Sequence, residues 1–298
     1  RLFEKDLKLI SNSRENSVIF FSEEGTSTLY GYRYFDNIRE RKLASWFRWT
    51  LTGTIQYHCM QDDSLYVVVR NNNKDQLLKY AIKMDSNTFA LAENRVHLDH
   101  LMSTSGWSYN ATTDKSTKAK PTGLESNNQL VAYITATAVG QGLEGVGRYG
   151  KITINGSNME LDGNWANETV LVGYQFTMQV DLPTIYYVTR EGENFRADTR
   201  SSLVLHRAKF GFGPIGLYET TLNRVGRVAY TELFELTGAD QYSASTESTI
   251  DDNKIRELPI YDSNKNVSIT IKSTHPAPAT IHNLTWEGAY NTKFYQRV

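Results

Sequence analysis

One cysteine in 298 residues excludes an intrachain disulfide and any thiolate metal cluster, and it fits synthesis in a reducing compartment or indifference to redox. No apolar run approaches the eighteen or more residues that a membrane helix needs. Charge of one sign is also missing. Lysines and arginines number 32 against 33 acids, a formal net charge of −1, so neither a polyanion nor a membrane surface is demanded as a partner. Sustained 3.6-residue apolar periodicity is scarce, which argues against helices. The chain opens on Arg1 without an initiator methionine or a signal-like stretch and reads as the C-terminal piece of something longer.

What the chain has in quantity is tyrosine, 18 residues of it, with plentiful serine and threonine. That composition favours strands and large protein contacts. Alternating runs bounded by turn residues recur almost everywhere, and they predict an all-β fold. The first part repeats itself. SVIFF from Ser17, TLYGYRY from Thr28 and KLASWFRW ending at Trp49 are followed by TIQYHCM from Thr54, SLYVVVR from Ser64 and QLLKYAIKM ending at Met84. Aligning Leu29-Tyr30 with Leu65-Tyr66 gives a 36-residue period, near the roughly 40 residues of a propeller blade. Propeller-like β repeats are therefore expected over residues 1–94, as part of a larger domain. A β-rich, sandwich-like region with long loops is expected over 95–298.

In that second region TTDKSTKAKPTG from Thr112 reads as a long exposed loop. The run TVLVGYQFTMQVDL from Thr169 reads as one long strand, with Val170, Val172, Tyr174, Phe176, Met178 and Val180 on a single buried face. SLVLHRAKFGF, GLYETTL, VAYTELFEL, VSITIKST and TIHNLTWEG supply further strands. A polar, acidic interval from Ala239 to Asp252 reads as partly disordered. Pro276 and Pro278 separate the last two strands, a position suited to a turn or edge.

Candidate chemistry is thin. GQGLEGVGRYGK, residues 140 to 151, contains Gly140-x-Gly142-x-x-Gly145 and Gly145-x4-Gly150-Lys151, the spacings of a dinucleotide fingerprint and of most of a phosphate-binding loop. Both need a helix to follow, because the helix N-terminus presents its amides to phosphate. KITING comes next instead, with Ile152 and Ile154 alternating as in a strand, and no Ser/Thr stands after Lys151 to hold magnesium. The stretch reads as a glycine-rich connection. HLDH, His97 to His100, is half a metal site without an evident third ligand. His58 and Cys59 are strand neighbours whose side chains diverge, so they form no nucleophile–base pair, and Cys59 is expected in the core. Glu23-Glu24 and Asp62-Asp63 place acids at turns, where a glycosidase would need a pair facing each other across a pocket. Trp46 and Arg48 share a strand face that could stack bases, but core packing or a subunit contact is favoured because excess positive charge is lacking. No catalytic, cofactor-binding or metal-binding residue is assigned.

Several motifs together resemble one family. LASWFRWTLTGTIQYHCMQDDSLYVVVRN with LLKYAIKM, then VGRYGKITI, VLVGYQFTMQVDLPTIY, RSSLVLHRAKFGFGPIGLYETTL and the closing TWEGAYNTKFYQRV look like the C-terminal part of the tail nozzle protein (tail tubular protein B) of T7-like short-tailed bacteriophages. They run in family order from about Leu43 to Val298. The resemblance implies a non-enzymatic structural protein of the virion tail, made in the bacterial host cytoplasm. Six copies would form a tube below a ring of tail adaptor proteins, near the tail fibres, around an exit channel that passes phage DNA without sequence-specific contact. The tube would stay shut until infection and meet the host envelope at its tip. The family fold is all-β and includes a propeller. On this reading Gly140, Gly142, Gly145, Gly147 and Gly150 form a mobile gate or contact loop. The reading from a different class is a tail-associated polysaccharide-binding or glycosidase module.

Overall fold

The computed structural model describes residues 6–37, 40–71, 73–82, 96–125, 129–137, 149–166, 168–191, 194–234 and 254–292. Among these there is no α-helix. Antiparallel strands carry the chain, with one 3-10 turn at Asn264–Asn266. The chain falls into two compact units, 1–91 and 92–298.

The first unit holds β1 (Leu7–Ser13), β2 (Val18–Glu23), β3 (Thr28–Asn37), β4 (Glu40–Thr50), β5 (Thr54–Gln61), β6 (Ser64–Asn71) and β7 (Lys74–Ala81). They form two meanders, β1-β2-β3-β4 and β5-β6-β7, in which every strand pairs with its neighbour in sequence. The 36-residue repeat is visible in space: β5 and β6 begin 36 residues after β2 and β3. Among the described residues the first meander has four strands, the number in a propeller blade, and the second has three. The tight turn between β5 and β6 is Asp62-Asp63, and Asp62 has φ 50°, the left-handed conformation that a two-residue hairpin requires and that Asp tolerates.

Alternation sorts the side chains. Val18, Phe20 and Leu29 point inward from the first meander and meet Ile55, Leu65, Val67 and Val69 of the second in one core, with Phe47 and Trp49 packed against it. The Phe47 ring lies over Gly31, where an added Cβ would stand 2.1 Å from Cζ.

The second unit contributes β8 (Asp99–Thr104), β9 (Ser108–Asn110), β10 (Lys115–Ala119), β11 (Leu130–Thr137), β12 (Tyr149–Lys151), β13 (Thr153–Asn155), β14 (Asn158–Asp162), β15 (Glu168–Tyr174), β16 (Met178–Asp181), β17 (Val188–Glu191), β18 (Asn194–Ala197), β19 (Ser202–Ile215), β20 (Tyr218–Arg224), β21 (Tyr230–Phe234), β22 (Lys254–Ser263), β23 (Val267–Ser273) and β24 (Ala279–Asn291). Strand order departs from chain order here: β13-β14-β10-β9, β12-β11-β15-β8, β16-β23-β20-β21 and β22-β19-β24, beside a β17-β18 ribbon. Leu130, Ala132, Ile134, Val170 and Val172 share a core with Met159, Leu161 and Trp165. Phe210, Phe212, Leu258 and Ile260 share another with Tyr218, Leu222, Ile269 and Ile271.

Two expectations fail in this unit. The run from Thr169 is not one strand. β15 ends at Tyr174 in the sheet with β11, and β16 begins at Met178 in the sheet with β23. Val170 to Tyr174 is buried throughout because the other face of β11 and β15 is covered as well, by Val96 and Leu98 against Val131, Tyr133 and Leu171. A strand buried on both faces loses its alternation. Nor is the stretch from Thr112 only a loop. It contains β10, an inner strand of its sheet, pinned by the fully buried Ser116, whose hydroxyl donates to Gly163 O at 2.8 Å and accepts from Trp165 N at 2.8 Å. The interval from Ala239 to Asp252 lies outside the described residues.

Candidate functional site

The glycine-rich stretch has the spacing that most suggests chemistry. Gly140, Gly142, Gly145 and Gly147 lie outside the described residues. Gly150 sits in β12, and its role is close packing: an added Cβ would stand 2.8 Å from Cζ2 of Trp165 and 3.3 Å from Leu161. After Lys151 the chain enters β13 and not a helix, so no helix N-terminus is present to receive phosphate. Ile152 and Ile154 join the core beneath Trp165.

The other candidates separate. In HLDH, the His97 amide donates to Pro276 O at 2.7 Å, and His100 takes a left-handed φ of 55° at the start of β8. Burial pushes the Asp99 carboxyl up to about 6. Among the described residues no three His, Cys, Asp or Glu side chains gather where a metal ion could sit. Glu23 is buried while Glu24 is exposed, 3.9 Å from Lys8. Asp63 accepts from the Asn16 amide at 3.0 Å. The two best-formed cavities among the described residues hold little more than a water molecule each, and neither is lined by Glu23, Glu24, Asp62 or Asp63.

His58 stands between two serine hydroxyls, the half-buried Ser11 and the buried Ser22. Its Nδ1 lies 2.6 Å from Ser11 Oγ and its Nε2 3.1 Å from Ser22 Oγ. Burial pulls its pKa down to about 4, against a smaller upward effect of the Leu9 backbone. A nucleophile–base pair needs a hydroxyl open to substrate. Here Ser22 and His58 are 1% and 3% exposed, and the neutral ring bridges β1, β2 and β5. Cys59 pairs with Tyr66 across the ladder while His58 pairs with Val67, so the neighbours do diverge. Cys59 is half-buried and outside the core cluster, a correction to its expected place.

The surface that does stand out is the outer face of the first meander. Ladder partners share a face, so Ile10, Phe21, Tyr30 and Arg48 form one row, and Asn12, Ile19, Tyr32 and Trp46 the next. Trp46 touches Tyr32 at 4.8 Å and Phe21 at 5.6 Å between ring centroids, and Tyr32 stacks on Tyr34 at 6.1 Å. Such pairs hold one another in place. Trp46 is 48% exposed and Ile10 63%. Of the alternatives for Trp46, core packing is thus excluded for this residue and taken instead by its neighbours Phe47 and Trp49. Sequence reasoning found Trp46 and Arg48 but missed Tyr30, Tyr32 and Tyr34. Their i, i+2, i+4 spacing in TLYGYRY was the available signal.

Arg48 is the one cation in these two rows. The densest charges elsewhere, on β19, are matched across strands: Arg207 Nε lies 2.9 Å from Glu287, Lys209 Nζ lies 2.6 Å from Glu287, and Arg207 also meets Glu257. The hydrogen bond from Lys209, with the nearby charge of Arg207, holds the Glu287 carboxyl below the usual carboxylate range. A strand-binding groove needs unmatched cations, and the charges on β19 are matched.

The family model described as bacteriophage nozzle protein matches residues 4–297, almost the whole chain. No curated protein matches it.

Proposed function

This chain belongs to the bacteriophage nozzle protein family and is a structural component of the virion tail; from that premise we propose that copies of it form a hexameric ring. The ring encloses the DNA exit channel and holds it shut until infection. The observation that carries the reading is the extent of the family match, 294 residues from 4 to 297. The outer face of the first meander supports it: rings ordered by mutual contact yet partly open to solvent suit contact with another protein surface. The near-zero net charge suits a conduit, since a strongly basic lumen would bind phosphates and retard DNA.

Within this reading the two meanders are blades of a propeller that further blades complete. The tail adaptor ring, the tail fibres and, at the tip, the host envelope are the remaining partners. Synthesis takes place in the host cytoplasm, where a lone half-buried cysteine is unproblematic. Imaging of the purified protein, paired with a hydrolysis assay on host polysaccharide, tests the proposal. Sixfold rings without turnover are expected. Monomers or trimers that release sugar would overturn it in favour of a polysaccharide-directed module.

A further inference from the structure

The three-stranded sheet β22-β19-β24 has two edges, and they differ. In β22 the ladder partner of Arg207 is Pro259, which has no N–H to offer. Proline is tolerated in a strand where its nitrogen faces away from the paired neighbour, and there it denies that edge to a further strand. β24 carries no proline, lysine or arginine in its 13 residues. Its one carboxylate, Glu287, is engaged by Arg207 and Lys209 on the sheet face. The extra residue on the β24 side of the ladder falls at His282, near the beginning of the strand. From Asn283 to Asn291 β24 runs without a further insertion. Among the described residues its backbone bonds to no strand but β19. Leu284, Trp286 and Tyr290 pack against the core yet are only partly buried, as expected where no strand flanks them.

The sheet β16-β23-β20-β21 of the same unit ends in a second unguarded edge. Among the described residues β21 pairs with β20 alone, and it holds neither proline nor a basic residue. It leaves Tyr230 and Leu233 42% and 52% exposed.

We infer that the free edge of β24, from Asn283 to Asn291, takes up β21 of a second copy of this chain as an added strand. The inference rests on the ring reading and names the contact that would build it. A donor from the same protein fits for a geometric reason. The two edges are different surfaces of one unit, so their contact is heterologous, the type that builds a ring when its rotation closes. Main-chain hydrogen bonds along the edge supply affinity, and Tyr230 or Leu233 covering the open flanks of Leu284 and Trp286 supplies specificity. The same closure hides an edge that would otherwise invite aggregation.

Engineered cysteines test it. In a Cys59→Ser background, Thr285→Cys and Thr231→Cys, both at exposed positions, are introduced singly and together, and assembled rings are oxidised. A ladder of covalent multimers from the double variant alone is expected. Dimers from Thr285→Cys alone would mean that β24 pairs with itself, and would overturn the inference. In parallel, Ala289→Lys sets a charge on the edge and is expected to keep the folding transition while losing ring formation. Rings that persist in Ala289→Lys, together with no ladder, sink the strand-addition contact and leave the ring reading standing. If the unsubstituted protein forms no rings, both fall.

Discussion

The first unit pairs every strand with its neighbour in sequence, whereas the second threads β14 between β13 and β10 and β15 between β11 and β8. In the first, the loop that must close before a pair can form is a two-residue turn such as Asp62-Asp63. In the second, β8 meets β15 across some 66 residues, Thr104 lying opposite Val170. Closing long loops before contacts reward them costs entropy and slows folding. The units also handle aromatic side chains differently. The first sets Phe21, Tyr30, Tyr32, Tyr34 and Trp46 on one sheet face, with Trp46 48% exposed, and the second buries Trp107, Trp165 and Phe210 inside its cores. Proximity in sequence makes a sheet cheap to form, and it leaves one face free for contact.

That contrast is open to experiment. Trp165, 1% exposed over Gly150 and Leu161, is the strongest single point in the second unit. Trp165→Ala is expected to cost about 3–5 kcal/mol and to lower the unfolding transition of that unit, followed by calorimetry, while the first unit's transition stays in place. A common shift of both transitions would show that the units unfold as one body.

The next largest effect is on pH dependence in the first unit. The folded pKa of His58 is about 4, below the unfolded value of about 6.5. Between these values the unfolded chain binds a proton that the folded one refuses. Stability is therefore full above about pH 6.5, falls as pH drops toward 4 and then levels, a loss of at most about 3 kcal/mol. Denaturant midpoints at pH 7.5 and 4.5 should show it, and His58→Gln should flatten the slope. A slope unchanged in that variant would assign the titration to another group.

The smallest pair of effects contrasts the two faces of one sheet. Gly31→Ala drives a methyl into the Phe47 ring on the inner face and is expected to cost about 1–3 kcal/mol. Trp46→Ala, 15 residues along the chain on the outer face, is expected to change stability by about 0.5 kcal/mol or less while weakening assembly. Equal losses of stability from the two would mean that the outer rings belong to a core. Equal assembly would remove them from the subunit contact.

Strands were legible because their signal is local. SLYVVVR alternates, and β6 buries Leu65, Val67 and Val69 as that alternation demands. The nucleotide reading of GQGLEGVGRYGK could be rejected from KITI alone, since a two-residue period is incompatible with the helix that phosphate binding requires. Where the sequence misled, the cause was a neighbour remote in the chain. TVLVGYQF hid its break at Gln175 because both faces of β15 are covered, which fills the polar positions that would have marked the end of a face. KSTKA looked like a loop because the residue that fixes it inside a sheet is a serine, Ser116, whose hydrogen bonds run to Gly163 and Trp165 far along the chain.

The amino-acid sequence determined by itself that the protein is built of strands, that its first part repeats every 36 residues, and that no disulfide within these 298 residues holds it. These follow from side-chain period and composition, which are properties of short stretches. Only the tertiary structure decided which strands lie side by side, that His58 is a buried bridge between three strands, that Trp46 faces solvent while Trp49 faces the core, and that among the described residues β24 is left with an open edge. Those depend on which distant segment supplies the neighbouring backbone or the covering side chain, and period and composition carry no record of that.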